Sequence, residues 1–233
     1  MSNSDKPRVH ANVELTGGPR VVIVEDQRLV AEFLSLHCRS IGIVVVANCG
    51  TLAEGMAAIR EHVPILALLD FSLPDGNGLE AAKVLLDELP ALRIIGISSH
   101  RDAWTMLQVQ RMGLHGFIDK HEQRPETLTH AIHSVLAGRV SYASIVVEAT
   151  AALRRDPKAF NRVLSDYEMR ILSLIGQSKS DDEIAALLGI SPSTVQSRRR
   201  DIMRKLDIHT TPKLIHYAIV HGLTRPDQLD RVR

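Results

Sequence analysis

Short apolar runs without polar alternation constrain the first part of the chain most strongly. Five such runs lie between residues 20 and 120. Runs of this kind are typical of parallel strands that are covered on both faces, and segments with helical spacing separate them. The pattern therefore predicts a doubly wound α/β domain with a five-stranded parallel sheet. The predicted strands cover residues 21–24, 43–46, 65–69, 94–97 and 116–118.

Residues that typically begin or end helices are frequent in the last part of the chain. Ser165 and Ser180 are each followed three residues later by glutamate, which fits a capping box. Four helices are predicted, and the second and third are joined only by Gly189-Ile190-Ser191, the connection of a helix-turn-helix. We therefore divide the chain into a flexible tail (1–19), the α/β domain (20–142), a helical linker (143–162), a four-helix domain (163–223) and a C-terminal tail (224–233).

Composition excludes several classes of protein. The 233 residues are 45% hydrophobic and 24% charged, which is ordinary for a globular chain and excludes a collagenous or disordered one. The two cysteines are too few for a disulfide framework, and no apolar run approaches the ~20 residues that span a bilayer. The N-terminus lacks the apolar core of a signal peptide, so we expect a cytoplasmic protein without a membrane partner. Residues 20–145 carry a net charge of −3 and residues 191–213 one of +4, which indicates two functions on two domains.

Polar side chains follow the predicted strands at the points where they end. Glu25 and Asp26 follow the first strand, Asp70 the third, Ser98 the fourth and Lys120 the fifth. The carboxyl ends of parallel strands meet at one sheet edge, where α/β proteins bind ligands. Clustered carboxylates need a cation, and oxygen ligands favour Mg²⁺. We predict that Asp70 is a phosphoryl-accepting nucleophile, that Asp26 and Glu25 hold Mg²⁺ with it, and that Lys120 and Ser98 contact the phosphoryl oxygens.

These residues stand in a recognisable motif. Val24-Glu25-Asp26, Asp70-Phe71-Ser72-Leu73-Pro74 with Gly78, Ser98 and Lys120 resemble the receiver domain of two-component response regulators. The resemblance covers residues 20–142 and implies a flavodoxin-like fold and phosphorylation of Asp70 by a sensor histidine kinase. It also implies that the backbone carbonyl of Ser72 is a metal ligand and that Phe117 is a switch aromatic that moves inward on phosphorylation. Ser98 replaces the commoner threonine and keeps the hydroxyl.

A basic helix over residues 192–206 provides the second candidate site. Val195, Ile202 and Leu206 recur at helical spacing and should face the core, with Met203 alongside. Because an α-helix fits the DNA major groove, the polar face is predicted to bind double-stranded DNA. The candidates for base contacts are Gln196, Ser197, Arg199 and Arg200, and those for phosphate contacts are Ser193, Thr194, Arg198, Arg204 and Lys205.

This region is similar to the LuxR/NarL type of helix-turn-helix from Leu164 to Leu223. The resembling residues include Glu183-Ile184-Ala185, Thr194-Val195 and Ile202 to Leu206. Gln196 stands where the family usually has lysine, and Asp181-Asp182 where Asn-Lys is frequent, which suggests altered base preference and modest affinity. The resemblance implies that the last helix pairs two domains, although its apolar residues could equally pack on their own domain.

Together the two regions predict a response regulator that Asp70 phosphorylation controls, with a homodimer expected in the phosphorylated state. Such a chain would be a phosphoacceptor and transcription factor that modifies only itself. A phosphatase acting through an aspartyl phosphate is a rival, but Ser72 occupies the position where haloacid-dehalogenase-like enzymes carry a second aspartate. A protein-interaction module with weakened or lost DNA binding is the other alternative.

Overall fold

The apolar runs form the central parallel sheet of a layered α/β unit in the computed structural model, which describes residues 17–122 and 124–224. Strands and helices alternate along this unit. They are β1 (Arg20–Val24), α1 (Arg28–Ser40), β2 (Val44–Cys49), α2 (Leu52–His62), β3 (Leu66–Asp70), β4 (Ser72–Leu73), β5 (Gly76–Asn77), α3 (Gly78–Glu88), β6 (Arg93–Ser98), α4 (Ala103–Arg111), β7 (Gly116–Asp119), α5 (Pro125–Leu136) and β8 (Ser141–Tyr142).

The sheet has the order β2-β1-β3-β6-β7-β8, and its paired strands are parallel. The predicted α/β class is confirmed, but the prediction of five strands is wrong, because β8 adds a sixth at the edge. Gly116 pairs with Ser141 and Phe117 with Tyr142 in this extension. A strand of two residues is too short to carry a periodic signal, and only its docking beside β7 creates it.

The two faces of the sheet are covered by different helices. On one face α1 and α5 bury a cluster that includes Ile23, Leu34 and Ile132. On the other face α2, α3 and α4 bury a cluster that includes Val22 and Leu85. Apolar side chains project from both faces of each central strand, which explains the absence of polar alternation in the sequence.

Two helices connect the α/β unit to the helical unit. They are α6 (Ser144–Arg155), which lies within the expected linker, and α7 (Phe160–Val163), which ends one residue beyond it. Val146 of α6 is fully buried in the core beside α4, whereas Phe160 is fully buried in the core of the helical unit. The connector is therefore packed against both units rather than free of them.

The helical unit consists of α8 (Asp166–Gly176), α9 (Asp181–Leu188), α10 (Pro192–Lys205) and α11 (Thr211–Val220). Ser165 and Ser180 form complete capping boxes with Glu168 and Glu183. Gly189 ends α9 with a φ of 66°, a left-handed conformation that glycine adopts without steric cost, and the chain turns there into α10.

Two predictions concern parts of the chain outside the structural description. The predicted tails are residues 1–19 and 224–233, and of these residues 1–16 and 225–233 lie outside the described part of the chain. Among the described residues, every helix is too short or too polar to cross a bilayer.

Candidate phosphorylation site and DNA-binding surface

The carboxyl edge of the sheet brings the predicted acidic and basic side chains into one pocket. Lys120 Nζ donates a hydrogen bond of 2.8 Å to Asp70 Oδ2 and one of 2.9 Å to Glu25 Oε1. Asp70 and Glu25 are 2% and 3% exposed, whereas Asp26 lies at the open rim. These groups come from β1, β3 and the end of β7, so the parallel sheet itself positions them.

The three carboxylates can share a cation. One oxygen from each of Glu25, Asp26 and Asp70 lies within 4.8 Å of the others. Glu25 Oε2 is buried and lies 2.8 Å from Lys120 Nζ, yet it has no hydrogen-bond donor among the described residues. A buried carboxylate oxygen with a free lone pair and two neighbouring carboxylates fits a hard divalent ion such as Mg²⁺.

The electrostatics of the pocket follow from burial and proximity. Burial raises the pKa of Glu25, and the negative charge of Asp70 raises it further, although Lys120 opposes both effects. Burial by itself would lower the pKa of Lys120, but the hydrogen bonds to Asp70 and Glu25 outweigh it and the pKa is raised. Lys120 therefore remains a cation that neutralises part of the carboxylate charge.

The loop after β3 is held close to Asp70. The backbone N–H of Ser72 donates to Asp70 Oδ1 at 3.0 Å. A Cβ on Gly78 would collide with the carbonyl oxygen of Asp70, so the return of the loop into α3 requires glycine at this position. Ser72 Oγ also contacts His100 Nε2 at 2.7 Å, which links the loop after β3 to the loop after β6.

Ser98 and Phe117 lie on the same side of the pocket. Ser98 is fully buried, and its Oγ accepts a hydrogen bond of 3.1 Å from the backbone N–H of His100. Phe117 is 1% exposed, and its ring centroid is 5.9 Å from that of Phe71. The ring of Phe117 packs in the apolar cluster on the α4 face of the sheet, and its inward movement on phosphorylation stays a prediction.

A second ion-pair cluster beside the pocket was missed by the sequence analysis. Arg101 Nη2 lies 2.7 Å from the buried carboxylate of Asp119, which also accepts hydrogen bonds from the backbone and ring of His121. Burial would raise the pKa of Asp119, but the hydrogen bonds from His121 and Arg101 outweigh it and lower the pKa. The cluster ties the loop before α4 to the end of β7, and the only sequence signal for it was an aspartate inside an apolar run.

Helix α10 presents most of the predicted DNA contacts to solvent. Val195 and Ile202 are fully buried, which fixes the opposite face outward. The exposed candidates are Ser193, Gln196, Ser197, Arg198, Arg200, Arg204 and Lys205, and the half-buried ones are Thr194 and Arg199. The hydroxyls of Ser193 and Thr194 lie 2.9 Å and 2.8 Å from Ser191 Oγ at the start of the helix.

Three of the cations on α10 are paired within the chain. Arg199 donates to Asp181 of α9, and Lys205 Nζ lies 2.7 Å from both carboxylate oxygens of Glu168. Arg204 pairs with Asp201 of its own helix at 2.7 Å. Arg198 and Arg200 have no ion pair among the described residues. The aspartate at position 181 is therefore neutralised by Arg199, a pairing that sequence reasoning did not find.

The α/β unit contacts the helical unit through α4. The backbone N–H of Trp104 donates to the carbonyl oxygen of His221 at 3.1 Å, and the Trp104 ring lies 6.0 Å from that of Phe160. Arg111 Nη1 lies 3.4 Å from Asp166 Oδ1 at the start of α8. Trp104 is six residues after Ser98, so the pocket and this contact are joined by one short loop.

Comparison with known proteins gives a consistent assignment. Residues 21–133 match the response regulator receiver domain, and residues 162–218 match the bacterial regulatory proteins of the luxR family. The chain is 31% identical over 209 residues to the transcriptional regulatory protein MctR of Rhizobium johnstonii, covering 88% of this chain and 94% of that protein. It is 29% identical over 213 residues to the response regulator UvrY of Escherichia coli, covering 90% of this chain and 97% of that protein.

Its fold is similar to that of RcsB from Salmonella enterica serovar Typhimurium bound to the promoter rprA, with a TM-score of 0.62 and 20% identity over 86% of this chain and 98% of that chain. The chain belongs to the two-component response regulators of the LuxR/NarL type, with a receiver domain followed by a LuxR-family DNA-binding domain.

Proposed function

We propose that Asp70 accepts a phosphoryl group from a phosphohistidine of a sensor histidine kinase, and that this modification controls how the helix-turn-helix domain binds DNA. The observation that carries the proposal is the contact of 2.8 Å between Lys120 Nζ and the buried carboxylate of Asp70, beside two further carboxylates. The proposal places the chain in the cytoplasm, together with the DNA that it would bind.

The transfer is an in-line displacement at phosphorus. A carboxylate oxygen of Asp70 forms the new bond, while the bond from phosphorus to the imidazole nitrogen breaks and that nitrogen keeps the electron pair. Lys120 neutralises charge on the phosphoryl oxygens. Ser98 Oγ accepts from the His100 backbone, so its hydrogen is free to be donated to another phosphoryl oxygen.

Mg²⁺ is the proposed cofactor of this step. The carboxylates of Glu25, Asp26 and Asp70 and the backbone carbonyl of Ser72 would hold it. When bound, the ion neutralises the negative charge shared by the carboxylates and the phosphoryl group. Apart from this self-modification, the proposal assigns the chain no reaction on other substrates.

The signal would leave the pocket through the loop between β6 and α4. A phosphoryl group adds about −1.5 to −2 charge and new acceptor oxygens, which attract Ser98 and Lys120. Movement of Ser98 would change the loop that leads through Asp102 into α4. Trp104 in the first turn of α4 contacts the helical unit. Phosphorylation would thus shift the population between two arrangements of the domains.

Labelled acetyl phosphate with Mg²⁺ tests the phosphorylation. The wild-type chain should gain one acid-stable, alkali-labile phosphate, and Asp70→Ala should gain none. Asp87→Ala, a change of an exposed aspartate on α3, is the matched control and should be labelled like the wild type. Labelling of Asp70→Ala at the wild-type level would refute the assignment.

A salt titration of duplex binding tests the DNA surface. Arg200 is exposed and carries no ion pair among the described residues. If Arg200 contacts a base, Arg200→Ala should weaken DNA binding about tenfold or more, and only for duplexes that contain that base. Arg199→Ala removes the tie to Asp181 and should mainly lower the stability of the domain. Binding that does not depend on salt would contradict phosphate contacts.

A second candidate function is a protein-interaction module with weakened DNA binding. It is favoured by the ion pairs of Arg199 and Lys205, which withdraw two cations from the predicted DNA surface. Under this alternative the wild-type chain and Arg200→Ala would bind duplex DNA equally poorly at low salt, which the same titration measures.

A further inference from the structure

The hairpin formed by β4 and β5 is tied to helix α2 through the side chain of Asp75. The two short strands are antiparallel, and Asp75 stands in the turn between them. Asp75 Oδ1 accepts a hydrogen bond of 2.7 Å from the backbone N–H of Leu52, and Asp75 Oδ2 accepts one of 2.9 Å from that of Ala53. Both oxygens of one carboxylate therefore bind the first two residues of α2.

These bonds complete the N-terminus of α2. The first N–H groups of a helix have no partner within the helix and need acceptors from elsewhere. Thr51 is the N-cap of α2, and its hydroxyl accepts a hydrogen bond of 3.2 Å from the N–H of Glu54. Asp75 supplies the acceptors for the two N–H groups before that one, and a negative charge is favoured at this end of a helix. The carboxylate therefore satisfies α2 and fixes the hairpin to it at the same time.

The backbone of the hairpin also lies close to the first residue of α2. Gly76 follows Asp75, and a Cβ at position 76 would lie 2.6 Å from Leu52 Cδ2. Leu73 of the hairpin is 2% exposed and belongs to the apolar cluster against which Leu52 packs. This close packing is independent of the hydrogen bonds, and it shows that the hairpin and the first turn of α2 are docked on each other.

Helix α2 is in turn fixed to the strand that leads to the other half of the pocket. A Cβ on Gly55 would lie 2.5 Å from Val24 Cγ2, so only glycine allows α2 to approach β1 this closely. Val24 directly precedes Glu25, and the N–H of Glu25 donates to the carbonyl oxygen of Cys49 at 2.9 Å. The position of α2 is therefore set by β1, immediately before Glu25 and Asp26.

The groups that would hold Mg²⁺ come from two different loops. Glu25 and Asp26 follow β1, whereas Asp70 ends β3 and Ser72 lies two residues beyond it. Pairing of β1 with β3 fixes the ends of the two strands, but it does not reach the backbone carbonyl of Ser72. The hairpin, Asp75 and α2 connect this carbonyl back to β1. The distance between the carbonyl and the two carboxylates after β1 therefore depends on how the hairpin is docked.

We propose that Asp75 is a positioning residue for the Mg²⁺ site, which docks the hairpin on α2 and so holds the Ser72 carbonyl opposite Glu25 and Asp26. The inference rests on the proposed function, which assigns the ion to these residues. Mg²⁺ demands a near-ideal octahedral arrangement of ligands, so a displaced carbonyl binds it less well. Replacing a residue that orients a metal ligand typically weakens metal binding by about 10- to 100-fold. Because Asp75 is exposed and acts on one ligand, we expect the lower limit.

Urea unfolding of the full chain at increasing Mg²⁺ concentration tests the proposal without any phosphodonor. Each variant gives two quantities, the unfolding free energy in EDTA and the dissociation constant for Mg²⁺ from its rise with the ion. Asp75→Ala should raise the dissociation constant about tenfold. Thr51→Ala is the matched control, because it removes the other side-chain acceptor of the same helix N-terminus and leaves the hairpin bonded. It should lower the stability in EDTA and leave the dissociation constant unchanged.

Three results of this titration would overturn the inference. The first is a dissociation constant in Asp75→Ala equal to that of the wild type. The second is an equal rise in Thr51→Ala, which would show that capping of α2 alone sets the affinity. The third is a wild-type chain whose stability does not respond to Mg²⁺. Asp75→Asn keeps one side-chain oxygen as an acceptor and replaces the alanine variant if that variant does not fold, and an unchanged dissociation constant in it would then overturn the inference.

Labelling with acetyl phosphate at increasing Mg²⁺ concentration provides an independent measurement. Asp75→Ala should need about tenfold more Mg²⁺ for half-maximal labelling and should reach the wild-type rate when Mg²⁺ is saturating. A rate that saturating Mg²⁺ does not restore would overturn the inference. A wild-type chain that is stabilised by Mg²⁺ but takes up no phosphate would instead defeat the proposed function, so the two failures are distinguishable.

Discussion

Replacing Lys120 by methionine tests how strongly the pocket depends on the buried ammonium group of Lys120. The side chain of Lys120 is 8% exposed and contacts those of Asp70 and Glu25, which are 2% and 1% exposed. Removing one partner of a buried ion pair costs about 3–5 kcal/mol, because the remaining charges are left uncompensated. Since the pocket opens to water at Asp26, we expect a loss near the lower limit, about 3 kcal/mol of unfolding free energy in EDTA.

The loss in Lys120→Met should depend on pH and on metal. Without the cation, burial and repulsion by Asp70 raise the pKa of Glu25 further in the folded state than in the wild type. A carboxyl group whose pKa is raised in the folded state destabilises the protein when it is ionised, and this effect disappears as the pH falls and the group is protonated. The loss of unfolding free energy in Lys120→Met should therefore be smaller at about pH 5.5 than at about pH 7.5. The raised pKa of Lys120 contributes stability that is lost only in alkali, so the charge of Lys120 itself adds little pH dependence over this interval. Mg²⁺ should stabilise the variant more than the wild type, since it supplies the missing charge.

Urea unfolding followed by the fluorescence of Trp104, the single tryptophan, measures these changes. Lys83→Met, which alters an exposed lysine on α3, is the control and should change the unfolding free energy by less than about 0.5 kcal/mol. A loss below about 1 kcal/mol in EDTA, or one that is the same at both pH values, would refute the reasoning that Lys120 holds two buried carboxylates in their charged form.

Three further predictions concern other parts of the chain. Glu168→Gln should cost about 1.5–3 kcal/mol in urea unfolding near neutral pH, because it removes the ion pair with α10 and charge-assisted bonds at Ser165. Burial raises the pKa of Glu168, but these bonds outweigh burial and lower it. The loss of unfolding free energy in Glu168→Gln should therefore vanish as the pH falls through that pKa, below about 4.5. Gly96→Ala should cost about 1–3 kcal/mol, because its Cβ would collide with the buried ring of Phe71. His100→Ala removes the side-chain contact with Ser72, two residues after Asp70, and should shorten the lifetime of the labelled aspartyl phosphate by admitting water.

The predictions for Glu168→Gln and His100→Ala each have a matched control. Glu148→Gln and His130→Ala alter exposed residues and should leave stability and phosphate lifetime unchanged. A Glu168→Gln cost that persists in acid would show that the carboxylate charge is not its source. An unchanged phosphate lifetime in His100→Ala would show that the contact with Ser72 does not limit access of water.

Local pattern determined much of this protein from the sequence. The apolar runs predict parallel strands because both faces of each strand are covered, and the capping boxes at Ser165 and Ser180 predict the helix starts because their bonds join residues three apart. The convergence of Glu25, Asp70 and Lys120 also followed from sequence, since parallel strands place their carboxyl ends at one edge.

Only the tertiary structure decided the pairings between distant elements. Arg199 meets Asp181 across 18 residues and Lys205 meets Glu168 across 37, and both depend on how the helices dock. The same is true of the short strand β8 and of the burial of Phe117 in the cluster on the α4 face of the sheet. Contacts within a turn or a strand join neighbouring residues, so they leave a periodic pattern in the sequence. Contacts between packed elements leave no such pattern, because many different sequences can bring a charge or an apolar face to the same place in the fold.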